Sequence, residues 1–338
     1  MSAYRPLVLI LVLAALVGIG FVAQQRSSDI AYSDSDPAYN RPYWEQQISA
    51  HGATRAYAEF SQTNAVAPRN RQHFSAHAMG AALYTKLGMS GISVCDQTFA
   101  FGCYHGLASK AIAEGGEKAI QALDAECTRA FGTQEFNLMS MCQHGIGHGI
   151  LEYVGYQHLN QALEMCTSLI NQPAPRVGCT SGVFMEYFTP LAEQGEGMEP
   201  AIRPFDSSDP YAPCPSVAAA FEQSCYFELG QALRQTPDSE YLSVCAGLSG
   251  APRTNCFLGV GTDFARMPDP EQVVARCETA ALNEDALFCR AGAAWGYSND
   301  GTERSHVMCD YHDAAKQEVC ERAADLTDGI ESPFTATP

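Results

Sequence analysis

Fourteen cysteines fall into seven successive pairs, and their spacing restricts what this chain can fold into more than any other feature. The pairs are Cys95/Cys103, Cys127/Cys142, Cys166/Cys179, Cys214/Cys225, Cys245/Cys256, Cys277/Cys289 and Cys309/Cys320. From Cys214 onward the first members recur at 214, 245, 277 and 309 and the second at 225, 256, 289 and 320, a period of 31 to 33 residues. A fixed period of that size marks stacked supersecondary units, none of which buries its apolar face alone.

The residues around the cysteines define the unit. Pro270 to Cys277 carries apolar residues at helical spacing, Asn283-Glu284-Asp285 supplies turn chemistry, and Ala286 to Tyr297 resumes a helical run of small residues. Ser239 to Leu248 and Arg253 to Met267 repeat this around a turn at Ser249–Pro252, as do Lys118 to Ala130 and Phe136 to Val154 around Phe131–Thr133. Each repeat reads as an αα-hairpin with one internal disulfide, since the paired cysteines sit at similar height on antiparallel helices. The competing scheme, joining Cys225 to Cys245 and so on, strands Cys95 and Cys320. Glycine follows three residues after several second cysteines, at Gly106, Gly145, Gly182 and Gly292, which points to close approach of neighbouring helices. The expected fold is all-α, a right-handed α-solenoid of about seven disulfide-stapled αα-hairpins. In period, hairpin grammar and one bridge per hairpin it resembles the Sel1 and tetratricopeptide class, although the Sel1 consensus is not followed and no site residue carries over.

Pro6 to Ala23 is an unbroken apolar run of eighteen residues after Arg5, long enough for a transmembrane signal anchor. The expected layout is a tail at 1–5, an anchor at 6–23, a flexible linker at 24–45, the helical ectodomain at 46–326 with an insertion at 190–213, and a loose tail at 327–338. Evenly paired cysteines suit an oxidising space, so the ectodomain is expected in the periplasm or cell exterior, anchored singly in the inner membrane. The formal charge of −18 excludes nucleic acid and anionic lipid surfaces as partners, since both need a basic footprint.

Chemistry concentrates early in the ectodomain. Five of nine histidines lie in three helical segments: His73 and His77, then His105, then His144 and His148. Residues four apart share a helix face, so His73 projects with His77, and His144 with His148 and Glu152. His105 and His144 each follow a second cysteine by two residues, and equivalent positions of stacked repeats are neighbours. Later repeats hold Ser181, Phe227, Leu258 and Ala291 in that slot. Imidazoles with one carboxylate suit zinc, copper or non-haem iron, with Glu152 as ligand, orienter or general base.

His-Glu-x-x-His, Cys-x-x-Cys-His, Gly-x-Ser-x-Gly and Walker-type loops are absent, and Gly259-Val-Gly261 is only a fragment of a nucleotide fingerprint. Glu186 and Asp263, each seven residues after a second cysteine, form at best a remote carboxylate pair and read as solvated. The aromatic residues Phe184, Tyr187, Phe188, Tyr226, Phe227, Phe257 and Trp295 are expected in the core between repeats. Two functions follow: an anchored binding scaffold for a protein, peptide or glycan that carries a histidine metal site, or a periplasmic metal-dependent enzyme.

Overall fold

The structure is a computed structural model that describes residues 37–132, 136–169, 177–189, 206–235, 238–299 and 304–324. The expected anchor at 6–23, the tail at 327–338 and residues 190–205 of the insertion lie outside the described residues. Among those described there is no strand, and no helix is long and apolar enough to cross a membrane.

The helices are α1 (Pro37–His51), α2 (Ala53–Asn64), α3 (Arg69–Leu87), α4 (Gly102–Gly115), α5 (Glu117–Phe131), α6 (Phe136–Val154), α7 (Leu159–Cys166), α8 (Cys179–Phe188), α9 (Glu222–Ala232), α10 (Asp238–Ala246), α11 (Gly250–Phe264), α12 (Pro270–Cys277), α13 (Asn283–Asn299), α14 (Ser305–Met308) and α15 (Ala314–Ala324). Two rows form. In the inner row α1, α3, α4, α6, α8, α9, α11, α13 and α15 each pack on the next, while α2, α5, α7, α10, α12 and α14 lie against individual members of that row.

Residue pattern explains the division. Outer helices bury one stripe, as α5 does with Ala119, Ile120, Leu123 and Cys127, and turn polar residues outward. Inner helices are buried nearly all round: α4 buries every residue from Gly102 to Ala108 as well as Ala111 and Ile112. Starts and stops follow local chemistry. Pro270 opens α12 while the Asp269 side chain accepts from the Glu271 N–H, and Gly116, at φ 60°, ends α4 as its N–H donates to the Ile112 carbonyl.

Glycine sets how close the inner helices come. A Cβ built on Gly80 would fall on the Cys103 carbonyl, and one on Gly106 on the His77 carbonyl, so α3 and α4 meet backbone to backbone. The same reciprocal contact joins α6 to α8 through Gly147 and Gly182, α9 to α11 through Gly230 and Gly259, and α11 to α13 through Gly261 and Gly292.

The bridges join Cys95–Cys103, Cys127–Cys142, Cys166–Cys179, Cys214–Cys225, Cys245–Cys256, Cys277–Cys289 and Cys309–Cys320, with Cα atoms 5.5 to 5.9 Å apart. Seven disulfides fit an oxidising extracytoplasmic environment. Three first members depart from the expected hairpin. Cys95 follows a 3₁₀ turn at Gly88–Val94, Cys214 opens a 3₁₀ turn at Cys214–Ser216, and Cys309 ends the four-residue α14. Glycine at 88 and 91 and proline at 213 and 215 are poor helix formers, which accounts for the first two.

The linker expected at 24–45 is also shorter. Residues 37–45 belong to α1, where Trp44 is 1% exposed and meets the Phe60 ring edge-on. Burying one tryptophan outweighs the polar character of its surroundings. Of the aromatic residues expected in the core, Phe184, Tyr226, Phe227, Phe257 and Phe188 are buried, while Tyr187 and Trp295 are only partly covered.

Candidate metal centre

Three consecutive members of the inner row carry the five early histidines. Helix α3 holds His73 and His77, α4 holds His105, and α6 holds His144 and His148. Because Gly106 and Gly145 let these backbones approach, the rings form one cluster with His105 in the middle. Its centroid lies 5.1 Å from His73, 5.2 Å from His77, 5.1 Å from His144 and 4.5 Å from His148. Within each i,i+4 pair the two Nε2 atoms are 3.2 Å apart. Two triads, His73/His77/His105 and His105/His144/His148, bring one ring nitrogen from each member within 4.8 Å of the others. Such triads, the second fully buried and the first partly exposed at His73 and His77, can hold a metal ion.

The outer nitrogens are tied to the scaffold. His73 Nδ1 lies 2.9 Å from the Phe99 carbonyl, which only accepts, so Nδ1 carries the proton and Nε2 is bare. That carbonyl sits in a run of three left-handed residues, Phe99, Ala100 and Phe101 at φ 59°, 53° and 61°, a conformation that costs side-chain-bearing residues about 1–2 kcal/mol each. Strain of this kind gathers beside functional sites. His148 Nδ1 lies 2.9 Å from Glu186 Oε2, and Tyr156 donates to the other carboxylate oxygen at 2.5 Å. His144 Nδ1 lies 3.1 Å from Ser181 Oγ, which donates to Glu228 Oε1 at 2.5 Å, while Gln231 donates to Oε2 at 2.8 Å.

These anchors set the tautomers, with His144 following the protonation state of Glu228. Ser181 spends its single proton on Glu228, so it accepts from His144 Nδ1–H and leaves His144 Nε2 bare; Glu186 does the same for His148. The two bare nitrogens then face each other. With Glu228 protonated the chain can run the other way, Glu228 to Ser181 to His144 Nδ1, and His144 Nε2–H can donate to His148 Nε2.

Burial holds the imidazoles neutral. His73 and His148 are lowered to about 4, and His77, His105 and His144 well below the usual value, in each case chiefly through loss of hydration. Burial raises Glu228 to about 8 against the opposing pull of the Ser181 hydrogen bond.

A cavity of about 770 Å³ opens against the cluster, lined by His73, His105, His144, His148 and Glu228 together with Arg234, Arg266 and Trp295. Helices as distant in the chain as α3 and α13 line it. Glu152 lies outside both triads, where its charge raises the pKa of His148. Glu186 and Asp263 are not solvated, contrary to expectation: both are buried, Glu186 under His148 and Tyr156, and Asp263 between Arg234 at 3.5 Å and Arg266 at 2.8 Å.

Sequence reasoning did not assign roles to Phe99, Tyr156, Ser181, Glu186 and Glu228 at this centre. Position carried a signal for two. Ser181 occupies the repeat slot of His105 and His144, and Glu186 follows its cysteine by one residue more than His148 follows Cys142. Compared with models of known protein families, with characterised proteins and with solved structures, the chain finds no match.

Proposed function

We propose that this chain is an extracytoplasmic protein that holds a transition-metal ion on His73, His77, His105, His144 and His148 at the wall of a ligand cavity. The two triads carry the reading, since each brings three ring nitrogens within 4.8 Å of one another beside a cavity. With Glu228 ionised both Nε2 atoms of His144 and His148 are bare and 3.2 Å apart, an arrangement that favours a cation between them, whereas with Glu228 protonated the same spacing is a hydrogen bond from His144 Nε2–H to His148 Nε2. Two nitrogens bound at about 2.0–2.1 Å to one tetrahedral ion stand about 3.3–3.4 Å apart, close to this spacing. Imidazole donors suit zinc, copper or non-haem iron rather than calcium or magnesium.

The finer architecture belongs to the same proposal. The row order and the cysteine period support a right-handed α-solenoid of disulfide-stapled hairpins. The apolar run at 6–23 supports a single-pass anchor in the inner membrane with the ectodomain in the periplasm or cell exterior. A scaffold role, holding a protein, peptide or glycan, rests on the architecture alone. The cavity favours a second reading, a metal-dependent enzyme acting on a small molecule. There Glu228, which lines the cavity and is raised to about 8, is better placed as general acid or base than Glu152.

Elemental analysis of the purified protein before and after chelation tests the metal. Stoichiometric zinc, copper or iron is expected, removed by chelation, diminished in His144→Ala and His148→Ala and kept in His306→Ala and His312→Ala. Protein that stays metal-free after incubation with all three ions would overturn the reading.

A further inference from the structure

A single ion leaves one ring nitrogen of His105 without a partner. His105 is 2% exposed, and both of its ring nitrogens are buried with no hydrogen-bond partner among the described residues. A neutral imidazole carries one N–H donor and one acceptor, and each left unpaired in the interior costs about 1–3 kcal/mol. The other four histidines stand on either side of it as two pairs, His73/His77 from α3 and His144/His148 from α6. Both pairs have the 3.2 Å nitrogen spacing of two ligands on one ion, and His105 belongs to both triads.

We propose, resting on the metal reading above, that the centre is binuclear and that His105 bridges the two ions, one ring nitrogen to each. One ion then takes His73, His77 and His105, and the other takes His105, His144 and His148. Both orphaned nitrogens are thereby satisfied. When the second ion binds, the His105 N–H bond breaks, its electron pair passes to the metal–nitrogen bond and the proton leaves to solvent; no oxidant or reductant is involved. The imidazolate charge and the Glu186 carboxylate on His148 offset the repulsion between two cations. Three protein ligands per ion leave each with an open position.

Copper(II) is the probe. The full chain, stripped by chelator and equilibrated with copper(II), is expected to retain two ions per molecule, with an electron paramagnetic resonance signal well below two spins because an imidazolate bridge couples the ions. In His105→Ala the retained copper should fall by half or more and whatever remains should give its full spin count. Wild-type protein decides the matter even if that variant fails to fold. One copper per chain, or two with the full two spins, overturns the bridge and leaves the metal reading intact; no copper overturns both.

Discussion

At the residue scale the groups behind the histidines decide which nitrogens are free. Glu186 and the Ser181–Glu228 pair set which nitrogen of His148 and His144 is free, so their loss should act on metal affinity without touching a ligand. Glu186→Gln and Glu228→Gln are each expected to weaken metal binding about 10–100-fold in a competition titration with a chromophoric chelator. Unchanged affinity in both would mean that the anchors do not set the tautomers. The buried rings also give the metal-free protein a pH signature. Burial lowers His73 and His148 to about 4 and the other three further, whereas the unfolded chain protonates near 6.5. As pH falls from about 6.5 towards 4, the unfolded state takes up protons that the folded state refuses, so stability falls across that window and is flat above it from this source. Urea midpoints of the stripped protein between pH 8 and 4.5 read this directly, and a midpoint that holds steady on acidification would contradict the buried, neutral cluster.

At the element scale the centre depends on glycine-mediated contact between helices. Gly182→Ala gives a sharp test because two effects oppose. Helix propensity alone favours alanine by about 1 kcal/mol. The added methyl, however, would fall on the His144 carbonyl across the α6–α8 contact, and backbone cannot swing aside as a flexible side chain can. The clash wins, for an expected net loss of about 1–2 kcal/mol in chemical denaturation and a weaker metal site as α6 shifts. A gain in stability would show that the helices are not in backbone contact. This scale was also where the sequence was most readable and where it misled. The expected helix over Phe136 to Val154 coincides with α6, and the i,i+4 phasing of His73/His77 and His144/His148 placed each pair on one face, because periodicity reports local geometry. The repeat-equivalent slots of His105 and His144 put their rings 5.1 Å apart. Residues 37–45 carry no local helix signal because a buried Trp44 decides their fate, and no local pattern announces a tertiary contact. Glu228 carries no sequence signal for a similar reason: a glutamate three residues after Cys225 gains meaning only when Ser181, 47 positions earlier, donates to it.

At the scale of the whole molecule, seven short covalent loops carry much of the order. The bridges close separations of 8 to 15 residues, for which the chain-entropy model allows up to about 3 kcal/mol each. Strong reductant should therefore lower the thermal transition of the entire array and release its metal, and a transition unmoved by reduction would assign stability to the helical core alone. The packed row brings residues of α3, α4, α6 and α13 to the lining of one cavity, so the centre is a property of the row and of no single hairpin. The most direct test of the central claim is X-ray absorption at the metal edge of the purified, metal-loaded protein. Imidazole nitrogen scattering at about 2.0–2.1 Å, with at least three such ligands per ion, is the expected result. A first shell of oxygen alone, with no imidazole signature, would contradict it.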